Sequence, residues 1–162
     1  MLMELLFEII AVGVFSCVIF DVWQRIFKLL TGIPPSNWAM VGRWLLNLIK
    51  SHQIFVKNIT TVRSYDSELK IGWFFHYLVA ILYAFVYFLL MNLGIVNPGV
   101  VDGLIFGVIS VIVPWFFFLP ALGNGILAKK TPEPIKVCSL ALMMHTIFGT
   151  AIGIGFQILM GQ

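Results

Sequence analysis

Three ionisable side chains sit inside otherwise apolar stretches of this 162-residue chain: Asp21, His76 and His145. A carboxylate and two imidazoles can move protons, hold a small polar ligand or bind a transition metal. In an apolar medium such groups are costly, so their depth and partners carry information. At about 1.5 Å rise per helical residue, His76 lies about 8 Å, and His145 about 12 Å, past the start of its segment. Asp21 lies near the end of its own segment, one turn from Arg25, at the i, i+4 spacing of a helical ion pair. If the segments cross a membrane, all three side chains reach similar depth on one side. Glu68 and Asn124 fall at the ends of two segments and could line the mouth of such a centre. Arg25, Arg43 and the loop lysines would supply positive charge. The candidate ligand-binding set is therefore Asp21, Arg25, Arg43, His76, Asn124 and His145.

Several chemistries are open to that set. Metal binding lacks support from spacing, because no HxxxH, ExxH or CxxC pattern occurs, and no metal ligands are assigned. The cluster could instead take the polar head of a lipid or another small anion. It could also be a hydrogen-bond network that only holds helices together. Enzyme signatures are missing: there is no GxSxG, no phosphate-binding loop and no dinucleotide fingerprint. Asp21 with either histidine could do acid–base work, but no obvious nucleophile accompanies them, so enzyme activity stays undecided and no cofactor is indicated. Asp102 falls at the opposite end of its segment and reads as a cap or an interfacial residue.

The elements that must position these residues follow from composition. Hydrophobic residues make up 60% of the chain and charged residues 10%. Soluble domains carry roughly 25% charged residues, so the expected solvent here is lipid. A bilayer core of about 30 Å needs about 20 helical residues, and four segments qualify: about 5–30, 71–94, 101–119 and 137–160. The first lacks a basic leader, carrying Glu4 and Glu8 instead, and reads as a retained span rather than a signal peptide. The ten Lys and Arg residues all lie on one side of this arrangement, at the end of the first span and in the loops 31–70 and 120–136. By the positive-inside rule those loops are cytoplasmic and both termini are outside. The same distribution explains the net charge of +3 without nucleic acid. Cys17 and Cys138 read as small packing residues.

The long loop has structure of its own. Pro34-Pro35 stops the first helix, and Ser36 or Asn37 can cap a new one. Trp38, Val41, Leu45, Leu48 and Ile49 then share one helical face, and Arg43, Asn47 and Lys50 another. This predicts an amphipathic helix, either lying on the cytoplasmic leaflet with Trp38 and Trp44 at headgroup depth or packed against the ends of the spans. Asn58-Ile59-Thr60 matches a glycosylation pattern, a chance match on a cytoplasmic loop. Within the spans, Gly99, Gly103 and Gly107 precede Ser110 at spacings that give a small-residue face. Ala141, His145, Gly149, Gly153 and Gln157 form a second stripe, and His76, Ala80, Tyr83 and Tyr87 a third. Pro114 predicts a kink and Pro120 the end of the third span. The fold class is thus all-α: a four-helix transmembrane bundle with a cytoplasmic amphipathic interfacial helix, in a single domain.

Six motifs occur in order along the chain: Asp21-Val22-Trp23, Pro35…Trp38…Gly42-Arg43-Trp44, Gly72-Trp73-Phe74-Phe75-His76-Tyr77, Pro120-Ala121-Leu122-Gly123-Asn124-Gly125, Thr131-Pro132-Glu133-Pro134, and Ser139-Leu140…His145…Phe148-Gly149. Together they resemble the bacterial membrane proteins of the domain-of-unknown-function 2938 family, over nearly the whole chain. The resemblance implies a small bacterial inner-membrane protein and no established activity. Its motif residues include the positions of Asp21, Arg43, His76 and His145. One departure stands out: the family usually carries Gln just before its Pro-Ala-x-Gly motif, where this chain has Leu119.

The resulting expectation is a protein that binds or transports a small polar or amphipathic molecule. Asp21, His76 and His145 would form its cytoplasm-facing polar centre, with Arg25 and Arg43 as anion contacts. A membrane-embedded enzyme, with or without a metal, and an accessory subunit of a membrane complex are the alternatives. Expected partners are the lipid bilayer, anionic lipid headgroups and a second copy of the chain. The Gly99-Gly103-Gly107 face could serve that copy or the bundle itself.

Overall fold

The computed structural model describes residues 2–160, and among them no strand occurs. Five helices of more than ten residues follow in order: α1 (Leu2–Thr31), α2 (Trp38–Ser51), α3 (Glu68–Asn92), α4 (Val100–Ala121) and α5 (Pro134–Met160). All but α2 are long and apolar enough to cross a membrane, so the all-α class and the four candidate spans stand as the sequence predicts. The second span begins earlier than its apolar run, at Glu68. The Glu68 carboxylate reaches back to accept from Tyr65 N–H at 3.1 Å, which closes the first turn as in a capping box.

Contacts divide the chain into two units, each described by itself. The first takes α1, residues 77–92 of α3, the Val100–Ser110 part of α4, and α5 from Met143 onward. It is a four-helix bundle held by small residues. A Cβ on Gly107 would lie 2.3 Å from the carbonyl oxygen of His145, and one on Gly153 2.1 Å from that of Gly99. Gly99 N–H donates to the Gly153 carbonyl at 2.9 Å, a main-chain bond between α4 and α5. The glycine face of α4 is thus filled by α5, inside the chain. On the other flank Gly13 of α1 lies against the backbone of Ile81 in α3. Tyr87 is fully buried, stacked on Phe156 and edge-on to Phe106. Its hydroxyl donates to the Asn97 carbonyl at 2.7 Å, while Asp102 accepts from Asn97 N–H at 2.6 Å and so closes the turn before α4.

The break in α4 has a local cause. Pro114 has no N–H, so the carbonyl of Ser110 loses its helical partner, and the chain relaxes into a π turn over Pro114–Phe118. Tyr83 of α3 donates its hydroxyl to that freed carbonyl at 3.5 Å, the kind of substitute an apolar medium demands.

The second unit comprises Ser36–His76 and Val111–Leu142. Here α2 crosses the start of α3 backbone to backbone: a Cβ on Gly42 would lie 1.8 Å from the Glu68 carbonyl oxygen, and one on Gly72 1.8 Å from that of Trp38. Trp44 is only 3% exposed, packed with Val56, Ile59, Ala121, Phe75 and Phe118, and its Nε1 donates to the Ile54 carbonyl at 2.7 Å. The Trp44 ring thus fills the centre of this unit and α2 packs against the start of α3, as the second of its two expected placements has it. Asn37 occupies the N-cap of α2 without a side-chain capping bond. The loop after α2 is tied down by Val56 N–H to the Ala121 carbonyl and Ile59 N–H to the Leu122 carbonyl, both 3.1 Å. Asn58 accepts from Thr60 N–H at 2.9 Å, so the Asn58-Ile59-Thr60 triplet is a turn device.

Adding a methyl group where two backbones touch forces them apart. Gly107→Ala is expected to destabilise the protein by about 1–3 kcal/mol, seen as a lower thermal unfolding temperature in detergent. An unchanged temperature would mean that α4 and α5 do not depend on this approach.

Candidate functional site

In the first unit the glycine contacts bring Ser110, at the end of the regular part of α4, to His145 of α5. Ser110 Oγ lies 2.8 Å from the Gly107 carbonyl and 2.8 Å from His145 Nδ1. A serine hydroxyl has one proton to give, and a carbonyl can only accept. Both contacts are satisfied together only when the hydroxyl donates to Gly107 and Nδ1–H donates to Oγ. The proton of His145 therefore belongs on Nδ1, and Nε2 has no partner among the described residues. Tyr83 and Phe148 pack around the ring, with centroids 5.9 and 6.5 Å away.

Asp21 lies in the same unit and is 7% exposed. Tyr77 donates its hydroxyl to Asp21 Oδ2 at 3.1 Å, and the adjacent Gln24 is also buried. Arg25 is exposed and makes no ion pair among the described residues, so the i, i+4 pair with Asp21 does not form. One turn of spacing permits such a pair, but Arg25 is exposed while the Asp21 carboxylate is buried and bonded to Tyr77. No hydrogen bond or ion pair joins His145 to Asp21, and each is held by its own tyrosine or serine instead. Beside Asp21, Trp23 packs on Phe27, and its buried Nε1–H has no acceptor among the described residues. Between α1 and α5 runs a groove of about 270 Å3 lined by Phe15, Ile19, Thr146, Thr150, Ala151 and Ile154. It is apolar, since Thr150 turns its hydroxyl back onto the Thr146 carbonyl at 2.8 Å.

The second unit holds the remaining candidates. Arg43 makes a two-pronged contact with Glu68, Nε to Oε2 and Nη2 to Oε1, both 2.8 Å. The hydrogen-bonded carboxylate raises the already high pKa of Arg43, so the guanidinium stays charged and is neutralised in place. That reduces what it can offer an external anion. His76 lies flat under Trp38, ring centroids 3.7 Å apart, with Trp73 edge-on at 5.7 Å. Asn124 acts through its backbone, its N–H donating to the Leu119 carbonyl at 2.8 Å and its carbonyl accepting from Lys130 N–H at 2.9 Å.

Sequence reading thus found His145 and Asp21 but not their partners. Ser110 and Tyr83 were visible as stripe members, without any sign that they meet at His145. Trp23 was visible only as a member of the Asp21-Val22-Trp23 motif, because an orphaned donor exists only once the fold is known.

Two outcomes test these geometries. Nitrogen NMR of 15N-histidine-labelled protein should find His145 protonated at Nδ1, and Ser110→Ala should abolish that preference. An Nε2–H tautomer in the parent protein would overturn the assignment. Glu68→Gln should cost about 1–2 kcal/mol by leaving Arg43 half-paired, measured by thermal unfolding against the parent protein.

No curated protein and no solved structure matches the chain. A family model described as a protein of unknown function (DUF2938) matches residues 10–158, in accord with the six motifs. The match covers both units, and the chain belongs to this family.

Proposed function

We propose that this protein binds, and in that way carries or senses, a small polar or amphipathic molecule within the membrane, through the polar groups of its first unit. The observation that supports this most is Trp23 Nε1, a buried donor that finds no acceptor among the described residues. Leaving such a donor empty costs about 1–3 kcal/mol, so an acceptor brought by a ligand fits it. His145 Nε2 adds acceptor capacity, and ionisable groups inside a span default to function. The apolar groove between α1 and α5 suits the hydrocarbon part of such a molecule.

The protein would sit in a bacterial inner membrane with loops 31–70 and 120–136 in the cytoplasm and both termini outside, by its charge distribution. The enzyme alternative gains nothing from the Ser110–His145 pair. The serine proton is directed at Gly107, away from the imidazole, and so the ring is not placed as its base.

Extraction and mass spectrometry of protein purified in mild detergent test the reading. The parent protein should carry a near-stoichiometric small molecule. Trp23→Phe should lose most of it while unfolding no earlier, because that variant removes an unsatisfied donor. Equal recovery from both proteins, or none from either, would sink the proposal.

A further inference from the structure

Two lysines lie on one turn of the second unit, and the loop that carries a third packs against it. Gly123-Asn124-Gly125 follows the end of α4 with φ of +89° at Gly123 and +75° at Gly125. The turn is built against the loop that carries Lys57: a Cβ on Gly123 would lie 2.5 Å from the Lys57 carbonyl oxygen. On its other side Lys130 N–H bonds the Asn124 carbonyl, and the Lys130 side chain lies along Gly125, 3.1 Å from where a Cβ would stand. Lys129 precedes it in the chain. Lys57, Lys129 and Lys130 are all exposed, and none has an acidic partner among the described residues. The nearby Glu133 is taken by Lys136 at 2.9 Å.

Like charges carried on adjoining backbone repel, and a bound anion relieves that repulsion. The backbone that presents them is itself strained: Leu127 and Ala128 are left-handed at φ 51° and 56°, costing about 1–2 kcal/mol each for non-glycine residues. Orienting a chain in a membrane needs lysines on one side of it, but not on one turn. The turn also begins two residues after a candidate span ends at Ala121, and Ile126 beside the lysines is 51% exposed. An apolar side chain next to unpaired cations at a span end matches the boundary between acyl chains and phosphates.

We infer that this turn is a binding site for the phosphoryl group of an anionic phospholipid, with Lys57, Lys129 and Lys130 as its countercharges. The inference is independent of the ligand reading above, which rests on other residues in the first unit.

Native mass spectrometry of the full chain tests it, with phosphatidylglycerol or phosphatidylcholine added to the detergent micelles. Phosphatidylglycerol should be retained in preference. Each lysine replaced by Gln should weaken retention about fivefold, and K57Q/K129Q/K130Q on the order of 100-fold. The control K28Q/R63Q/K70Q removes the same charge from other exposed positions and should stay near the parent protein, with matching unfolding temperatures confirming that both variants fold. Equal losses in the two triple variants would reduce the site to general charge and overturn the inference. So would retention without regard to headgroup. Displacement of the lipid by millimolar inorganic phosphate would overturn the lipid assignment in favour of a soluble phosphate.

Discussion

The backbones of α4 and α5 touch, and the polar chemistry of the first unit depends on that approach. Gly103 and Gly107 meet Gly149, Gly153 and the His145 carbonyl, and Gly153 meets the Gly99 carbonyl, at distances that leave no room for a Cβ. Such proximity allows the Gly99 to Gly153 main-chain bond and sets Ser110 within hydrogen-bonding reach of His145. In an apolar medium there is no hydrophobic force to press helices together, so close packing and interhelical hydrogen bonds must do so. The serine–histidine contact is thus a consequence of the glycines before it is anything else.

The same constraint governs what happens at Pro114. Removing one N–H from a helix in water exposes a carbonyl that solvent can satisfy. In an apolar span the carbonyl of Ser110 must find another donor, and Tyr83 supplies it across the bundle. Ser110 therefore engages three neighbours: its hydroxyl meets Gly107 and His145, and its carbonyl meets Tyr83. A substitution at any one of these positions disturbs the others, and effects at such a centre should not add.

Spans, glycine stripes and the proline break were legible in the sequence because each is a local or periodic property. Four apolar runs and a repeat of four residues need no knowledge of the tertiary fold. Pairing was not legible. Arg43 and Glu68 are separated by 25 residues, and only the Gly42–Gly72 crossing explains why they meet. The pattern of α2 predicted an amphipathic helix but left two covers open, headgroups or the ends of the spans, and Trp44 fills a core, since periodicity gives a face but not what covers it. Depth along a helix likewise located Asp21 and His145 without their azimuth, and azimuth decided that Tyr77 and Ser110, rather than each other, became their partners. The left-handed residues Leu127 and Ala128 had no sequence signal, because neither type favours that conformation.

Counting donors and acceptors in the first unit separates what supports the fold from what is left over. Tyr87 is committed to Asn97, Tyr83 to Ser110, and the hydroxyl of Ser110 to Gly107. Each is a group whose removal should loosen packing and nothing more. Trp23 Nε1 differs, being a buried donor with no acceptor among the described residues, and His145 Nε2 is an acceptor that receives no hydrogen bond from them. A structural network in an apolar medium tends to close on itself, because every open end is costly. One whose open ends are of opposite kinds is complementary to a molecule that carries both an acceptor and a donor. In the binding reading we propose, that complementarity, rather than the mere presence of histidine and aspartate in a span, is what would set such a centre apart from a set of helix clamps.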